Sequence, residues 1–188
     1  MTAHTTAPPA PPAPEPLVEL TTTVNGRDVT AAVPPRLHAA DFLRQRLGLT
    51  GTHVGCEQGS CGMCTIVVDG EAVKSCLMLA CQLDGRSVQT VESLATDDRL
   101  NPLQQAFRES HALQCGFCTP GFLMTATALG YQGGGCPSRE VIREEIAGVL
   151  CRCTGYESIV TAIESWFAGA PQRASDDEAG PGSAGGPR

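Results

Sequence analysis

Val54-Gly-Cys-Glu-Gln-Gly-Ser-Cys-Gly-Met-Cys64 contains three cysteines spaced Cys56-x4-Cys61-x2-Cys64. Cys76 follows after eleven more residues. This is the plant-type [2Fe–2S] spacing. Three thiolates must converge from one tightly bent loop, and the fourth comes from a neighbouring element. Gly55, Gly59 and Gly62 permit the positive φ values that such a loop requires, and they leave room for backbone close to sulfur. Cys81 lies five residues beyond Cys76. Cys76 is the choice for the fourth ligand, because a strand leading back from the Asp69-Gly70 hairpin signal returns it to the loop.

The sequence around this loop reads as a small sheet. Leu17 to Val24 alternates apolar and polar side chains, and Asn25-Gly26 supplies a two-residue hairpin turn before a returning strand, Val29 to Val33. His38 to Leu47 carries an apolar helix face at Ala39, Phe42, Leu43 and Leu47, ended by Gly48. Thr65 to Val68, Ala72 to Leu79 and Ser87 to Val91 read as further strands. Strands around one helix with a glycine-rich loop suggest a β-grasp.

The character changes near residue 95. Asn101-Pro102 reads as an N-cap and N1 pair opening a helix to about Ala112. Thr119-Pro120 reads the same way, opening a helix to about Leu129. Gly133-Gly134-Gly135 breaks the chain. Ser138 caps a helix from Arg139 to about Leu150, with Glu140 in its first turn, and a last helix runs from about Tyr156 to Phe167. Four short helices with short connections predict a four-helix bundle. The fold class is therefore α+β: 17–95 β-grasp, 96–168 helical. Residues 1–16 hold six of the 14 prolines and read as a disordered Pro-rich tail. Residues 169–188 read as a disordered Gly-rich tail.

The helical half carries a second set of thiols. Cys115-Gly-Phe-Cys118 directly precedes the Thr119-Pro120 start, and Cys151-Arg-Cys153 directly precedes a start expected near Thr154. Two helix N-termini would then face four thiolates, which suits an anionic cluster. A locally extended Cys-x-Cys would place both side chains on one side. Zinc is the competing reading, with Cys61/Cys64 and Cys115/Cys118 as ribbon-like pairs. It leaves Cys56 unexplained and puts some fifty residues between the pairs.

Composition narrows the class. The chain has 188 residues, ten of them Cys, and a formal charge of −7. With no basic stripe, and with only one Trp, two Tyr and five Phe, it is not expected to bind nucleic acid. No apolar run approaches the roughly 20 residues of a membrane span. No export signal is evident, so the expected compartment is the cytoplasm, where thiols stay reduced and bind metals. Cys81 and Cys136 are surplus; a buried structural thiol is the expected role of each, with exposure left open for Cys136 by its place in the Gly-rich loop. His4, His38, His53 and His111 show no paired metal spacing, and His53 reads as a solvated or capping residue. No catalytic constellation is present.

Three segments, Gly55 to Thr65, Gln114-Cys-Gly-Phe-Cys-Thr-Pro-Gly121 and Leu150-Cys-Arg-Cys-Thr-Gly-Tyr156, resemble the iron–sulfur subunit of the molybdenum hydroxylases. That family includes xanthine dehydrogenase, aldehyde oxidoreductase and aerobic carbon monoxide dehydrogenase. The resemblance implies one [2Fe–2S] cluster on Cys56, Cys61, Cys64 and Cys76, and another on Cys115, Cys118, Cys151 and Cys153. It implies a large subunit with molybdopterin, a medium subunit with FAD and a dimer of heterotrimers. By the same resemblance Gln114 and Cys153 would hydrogen-bond the pterin. Electrons would run from molybdenum to the helical cluster, to the ferredoxin-like cluster and then to FAD. The chain would be the non-catalytic electron-transfer subunit of an oxidoreductase. The alternatives are a free-standing two-cluster carrier and a zinc-binding module.

Overall fold

In a computed structural model the described residues are 15–96, 99–133 and 135–169. The tails expected at 1–16 and 169–188 lie outside them, apart from residues 15, 16 and 169, and so does Gly134. Strands β1 (Val18–Val24) and β2 (Arg27–Val33) pair antiparallel in register from Val18↔Val33 to Val24↔Arg27. Their turn residues Asn25 and Gly26 take φ of 51° and 76°, the left-handed pair that a two-residue hairpin needs. The Asn25 side chain also exchanges two 2.9 Å hydrogen bonds with Thr90, fixing the turn to the end of the neighbouring strand. Strands β3 (Thr65–Val68) and β4 (Glu71–Lys74) form the second hairpin through Asp69 and Gly70. Strand β5 (Ser87–Gln89) inserts between them, parallel to β1 and antiparallel to β3. The order β2-β1-β5-β3-β4 wraps a short helix, α1 (Ala39–Asp41), which continues as a wide π turn over Phe42–Arg46. Phe42 and Leu43 are fully buried there among Leu20, Ile66, Leu83 and Val88.

Four helices follow: α2 (Pro102–Glu109), α3 (Thr119–Tyr131), α4 (Arg139–Ile146) and α5 (Glu157–Ala168). They share a core that includes Leu103, Phe107, Phe122, Ile142, Ile146, Ile159 and Ile163. Helix α3 is apolar on all sides, with every residue from Pro120 to Leu129 buried. It packs on the other helices and on β3, where Met124 and Ala128 meet Val67. The helical half is thus seated on the sheet. Among the described residues no helix is long and apolar enough to cross a membrane.

Several boundaries differ from those expected. The strand expected over Ala72–Leu79 ends at Lys74. Ser75 hydrogen-bonds the Cys64 carbonyl with both its amide, at 3.2 Å, and its hydroxyl, at 2.7 Å. That turns the chain out of the sheet and brings Cys76 to the loop. The strand at Ser87 stops at Gln89, and Val91–Ser93 forms a 3₁₀ turn. Asn101 caps α2 as expected, accepting from the Gln104 amide at 2.8 Å. The helix closes at Glu109, and His111 follows in the left-handed region at φ 50°. Helix α4 ends at Ile146, because the Leu150 amide is taken by the Cys61 carbonyl at 2.9 Å. Cys136, in the Gly-rich loop, is exposed, and Cys81 is half-buried.

Candidate metal centres

The loop from Gly55 to Cys64 packs its thiols inward. Cys61, Cys64 and Cys76 are each no more than 8% exposed. Cys56 Sγ accepts the Cys61 amide at 3.3 Å. Amides of Gln58 and Cys61 aimed at this sulfur lower the Cys56 thiol to about 7. Burial, then contact with Cys64, raises Cys76 to about 11. Cys76 therefore meets the loop, while Cys81 Sγ points away, 4.0 Å from the Pro35 carbonyl. Gly59 and Gly62 adopt φ of 78° and 72°, as expected, but Gly55 does not. The constraint on Gly55 is closeness: a Cβ there would stand 3.2 Å from Cys61 Sγ and 3.6 Å from the Phe117 ring. Glu57, at φ 55°, supplies a left-handed turn that the glycine count did not reveal.

The second set gathers around the start of α3. Cys115 and Cys153 lie 3.6 Å apart, sulfur to sulfur, at the exposed edge. Cys118 and Cys151 are buried beside each other, and burial together with Cys151 raises Cys118 to about 12. The expected cap at Thr119 is displaced by one residue: Cys118 is the N-cap and Thr119 is already helical. The second expected helix start also moves. Residues 151–154 form a bend rather than an extended pair, and α5 begins only at Glu157 after Tyr156 at φ 70°. In place of a helix end, Cys151 Sγ faces donors from its own bend. It lies 3.5 Å from the Cys153 amide, 3.4 Å from the Thr154 amide and 3.2 Å from the Thr154 hydroxyl. Burial raises the Cys151 thiol, yet those donors outweigh it and leave the group below its ordinary value. Gln114 Nε2 donates to the Cys153 carbonyl at 3.1 Å, so these two residues share the exposed mouth. A cavity of about 510 Å³ opens there between Met63, Leu150 and Tyr156.

The two sets are stitched together. His53 stacks on Phe117 at 4.9 Å and 12°, and its Nδ1 lies 2.8 Å from the Phe117 carbonyl. His53 is therefore half-buried and held against the helical half. Glu92 accepts the Gly51 amide at 2.7 Å, and Arg44 donates to the Thr50 and Thr52 carbonyls, so the turn leading to Cys56 is held from two sides. A Cβ on Gly62 would lie 2.2 Å from the Gly148 carbonyl oxygen, and one on Gly121 would lie 2.6 Å from the Gly62 carbonyl oxygen. These contacts join distant positions, and no spacing motif announces them. Thr154 is legible in the sequence only as an expected helix start after Cys-x-Cys, not as a donor to sulfur.

The donor chemistry fits two binuclear iron clusters. Sulfurs meet in pairs: Cys56 with Cys61, Cys64 with Cys76, Cys115 with Cys153, and Cys118 with Cys151. A [2Fe–2S] cluster takes four thiolates, two on each iron. Among the described residues, no three side chains converge on a single-ion site. Thr119 Oγ1, directly after Cys118, is a buried oxygen with no hydrogen-bond partner. A sulfur acceptor there would satisfy it.

A β-grasp sheet and a helical half, each carrying four gathered thiols, define a two-centre iron–sulfur electron-transfer protein. The comparisons with known proteins agree. Residues 22–95 match the 2Fe-2S iron-sulfur cluster binding domain, and residues 90–164 match the [2Fe-2S] binding domain. The nicotine 6-hydroxylase small subunit of Paenarthrobacter nicotinovorans is 55% identical over 152 residues, covering 81% of this chain and 91% of that one. The caffeine dehydrogenase subunit gamma of Pseudomonas sp. is 57% identical over 146 residues, covering 76% and 87%. The crystal structure of quinoline 2-oxidoreductase from Pseudomonas putida 86 superposes with a TM-score of 0.78 at 51% identity, covering 82% of this chain and 95% of that one. This chain belongs to the [2Fe–2S] small subunits of the molybdenum hydroxylase family.

Proposed function

We propose that this chain is the electron-transfer subunit of a molybdenum-dependent hydroxylase or dehydrogenase. The observation that carries the reading is the gathering of eight thiols into two sets, joined by one main-chain hydrogen bond from Leu150 to Cys61. Cys56, Cys61, Cys64 and Cys76 hold one cluster in a ferredoxin-like unit, 17–95. Cys115, Cys118, Cys151 and Cys153 hold the other in a four-helix unit, 96–168. A bound [2Fe–2S] cluster supplies a one-electron redox centre. The chain's own work is to hold the two centres at a fixed separation and to shield them. Buried Cys61, Cys64, Cys118 and Cys151 keep one side of each site dry. The Leu150 amide and Cys61 carbonyl link residues adjoining both sites through one 2.9 Å contact.

In this reading electrons enter from molybdopterin on a large subunit at the Gln114 and Cys153 mouth. They leave from the ferredoxin-like half to FAD on a medium subunit, or to another acceptor. Exposed Leu113, Phe117 and Leu150 around that mouth support burial against a partner. The assembly is a dimer of heterotrimers in the cytoplasm. A free-standing carrier is not favoured, since the relatives are named as subunits. Nicotine, caffeine and quinoline, named in the three proteins compared, are nitrogen heterocycles, which supports that substrate class for the complex. Affinity purification of the tagged chain from its native host tests the association. Co-purification of molybdenum and flavin polypeptides is expected, and a lone soluble monomer would contradict the reading.

A further inference from the structure

Cys151 sits in a donor environment that sets it apart from the other seven gathered thiols. Its sulfur lies 3.2 Å from the Thr154 hydroxyl, a contact in which either atom could donate. The direction is fixed by chemistry on both sides. A metal-bound thiolate carries no proton, so it can only accept. The Thr154 oxygen is itself an acceptor, taking the Tyr156 amide at 3.1 Å, which leaves its own proton to give. Tyr156 is held in turn, because its phenol oxygen accepts the Cys151 amide at 2.8 Å. The result is a closed relay: Tyr156 amide to Thr154 hydroxyl to Cys151 sulfur, with the Tyr156 ring returning to the Cys151 backbone. Chained hydrogen bonds polarise one another, and each strengthens the next. The left-handed backbone of Gly155, at φ 68°, is what turns the Tyr156 amide back toward Thr154.

We propose that Thr154 is a positioning residue that sets the reduction potential of the helical-half cluster through its hydroxyl on Cys151. This rests on the assignment of Cys151 as a cluster ligand. Hydrogen bonds to ligand sulfur disperse negative charge and so favour the more negative, reduced state. Because Cys151 is only 8% exposed, water does not compete freely for that sulfur. The relay is local to the helical half: Cys56, Cys61, Cys64 and Cys76 have no hydroxyl partner of this kind among the described contacts, and the effect is confined to one centre.

The test is a redox titration of the cluster-loaded complex, read by EPR, for wild type, Thr154→Val and Thr154→Ser. The valine variant should make reduction of the helical-half centre about tenfold less favourable, a fall of about 59 mV for one electron. The serine variant, which keeps the hydroxyl, should stay near wild type, and the ferredoxin-like centre should be unmoved in both. An unshifted helical-half centre in Thr154→Val would overturn the proposal, as would equal shifts in both centres. If the serine variant shifts as far as the valine variant, the hydroxyl is not the cause and the proposal also fails. Iron analysis separates this from the underlying assignment. About four iron atoms per chain in wild type and variants keep Cys151 as a ligand whatever the potentials do.

Discussion

Gly62→Ala is the sharpest probe of how the two halves are joined. Gly62 sits at φ 72°, and an added Cβ would lie 2.2 Å from the Gly148 carbonyl oxygen and 2.8 Å from Val149 Cα. Two penalties follow. The left-handed backbone alone costs an L-residue about 1–2 kcal/mol. Forcing a methyl group into packed backbone adds about 1–3 kcal/mol. Both obstructing atoms are main chain, so no side chain can swing aside. Gly85→Ala isolates the first penalty, because Gly85 has φ 71° and open space around it. Gly148→Ala isolates mild crowding, since its nearest neighbour is the flexible end of Lys74 at 3.3 Å. The assay is thermal loss of the visible absorbance of bound iron in the loaded chain. Gly62→Ala should be destabilised by about 2–5 kcal/mol in total and should release iron well before Gly85→Ala. If Gly62→Ala is no less stable than Gly85→Ala, the loop does not abut the Gly148 segment and the close joining of the halves is wrong.

Other perturbations follow from the same geometry. Cys81→Ser should retain both centres by EPR, whereas Cys76→Ser should lose the ferredoxin-like signal alone. His53→Ala removes the stack on Phe117 and should destabilise the chain by about 1 kcal/mol in chemical denaturation, with His53→Phe restoring part of it. In the metal-free chain, Cys56 at about 7 is a thiolate above neutral pH, while Cys76 at about 11 and Cys118 at about 12 stay protonated. Alkylation followed by mass spectrometry should therefore label Cys56 ahead of those two at pH 8, and the lead should shrink as pH falls through 7.

The sequence made the local devices legible. Asn25-Gly26 and Asp69-Gly70 demand left-handed turns, and the chain supplies hairpins at both. Asn101-Pro102 caps α2 because the side chain and the missing amide act within four residues. The spacing of Cys56, Cys61 and Cys64 is likewise a within-loop constraint. What escaped depends on contacts between distant segments. The strand at Lys74 ends because Ser75 reaches the Cys64 carbonyl, and α4 ends because Leu150 reaches Cys61. Gly55 does not need a left-handed turn, but the room it leaves for sulfur is real, since an added Cβ would stand 3.2 Å from Cys61 Sγ. His53 looked inert in isolation, since its partner lies 64 positions away. Thr119 was placed one residue out, because Thr-Pro suits both an N-cap pair and, as here, the first helical turn after a cysteine cap.

The central claim is that eight of the ten cysteines hold two [2Fe–2S] clusters. Metal analysis with EPR of the purified, dithionite-reduced chain or complex tests it most directly. About four iron atoms per chain and two distinguishable [2Fe–2S] signals are expected. About two iron atoms, or stoichiometric zinc in a colourless protein, would contradict it.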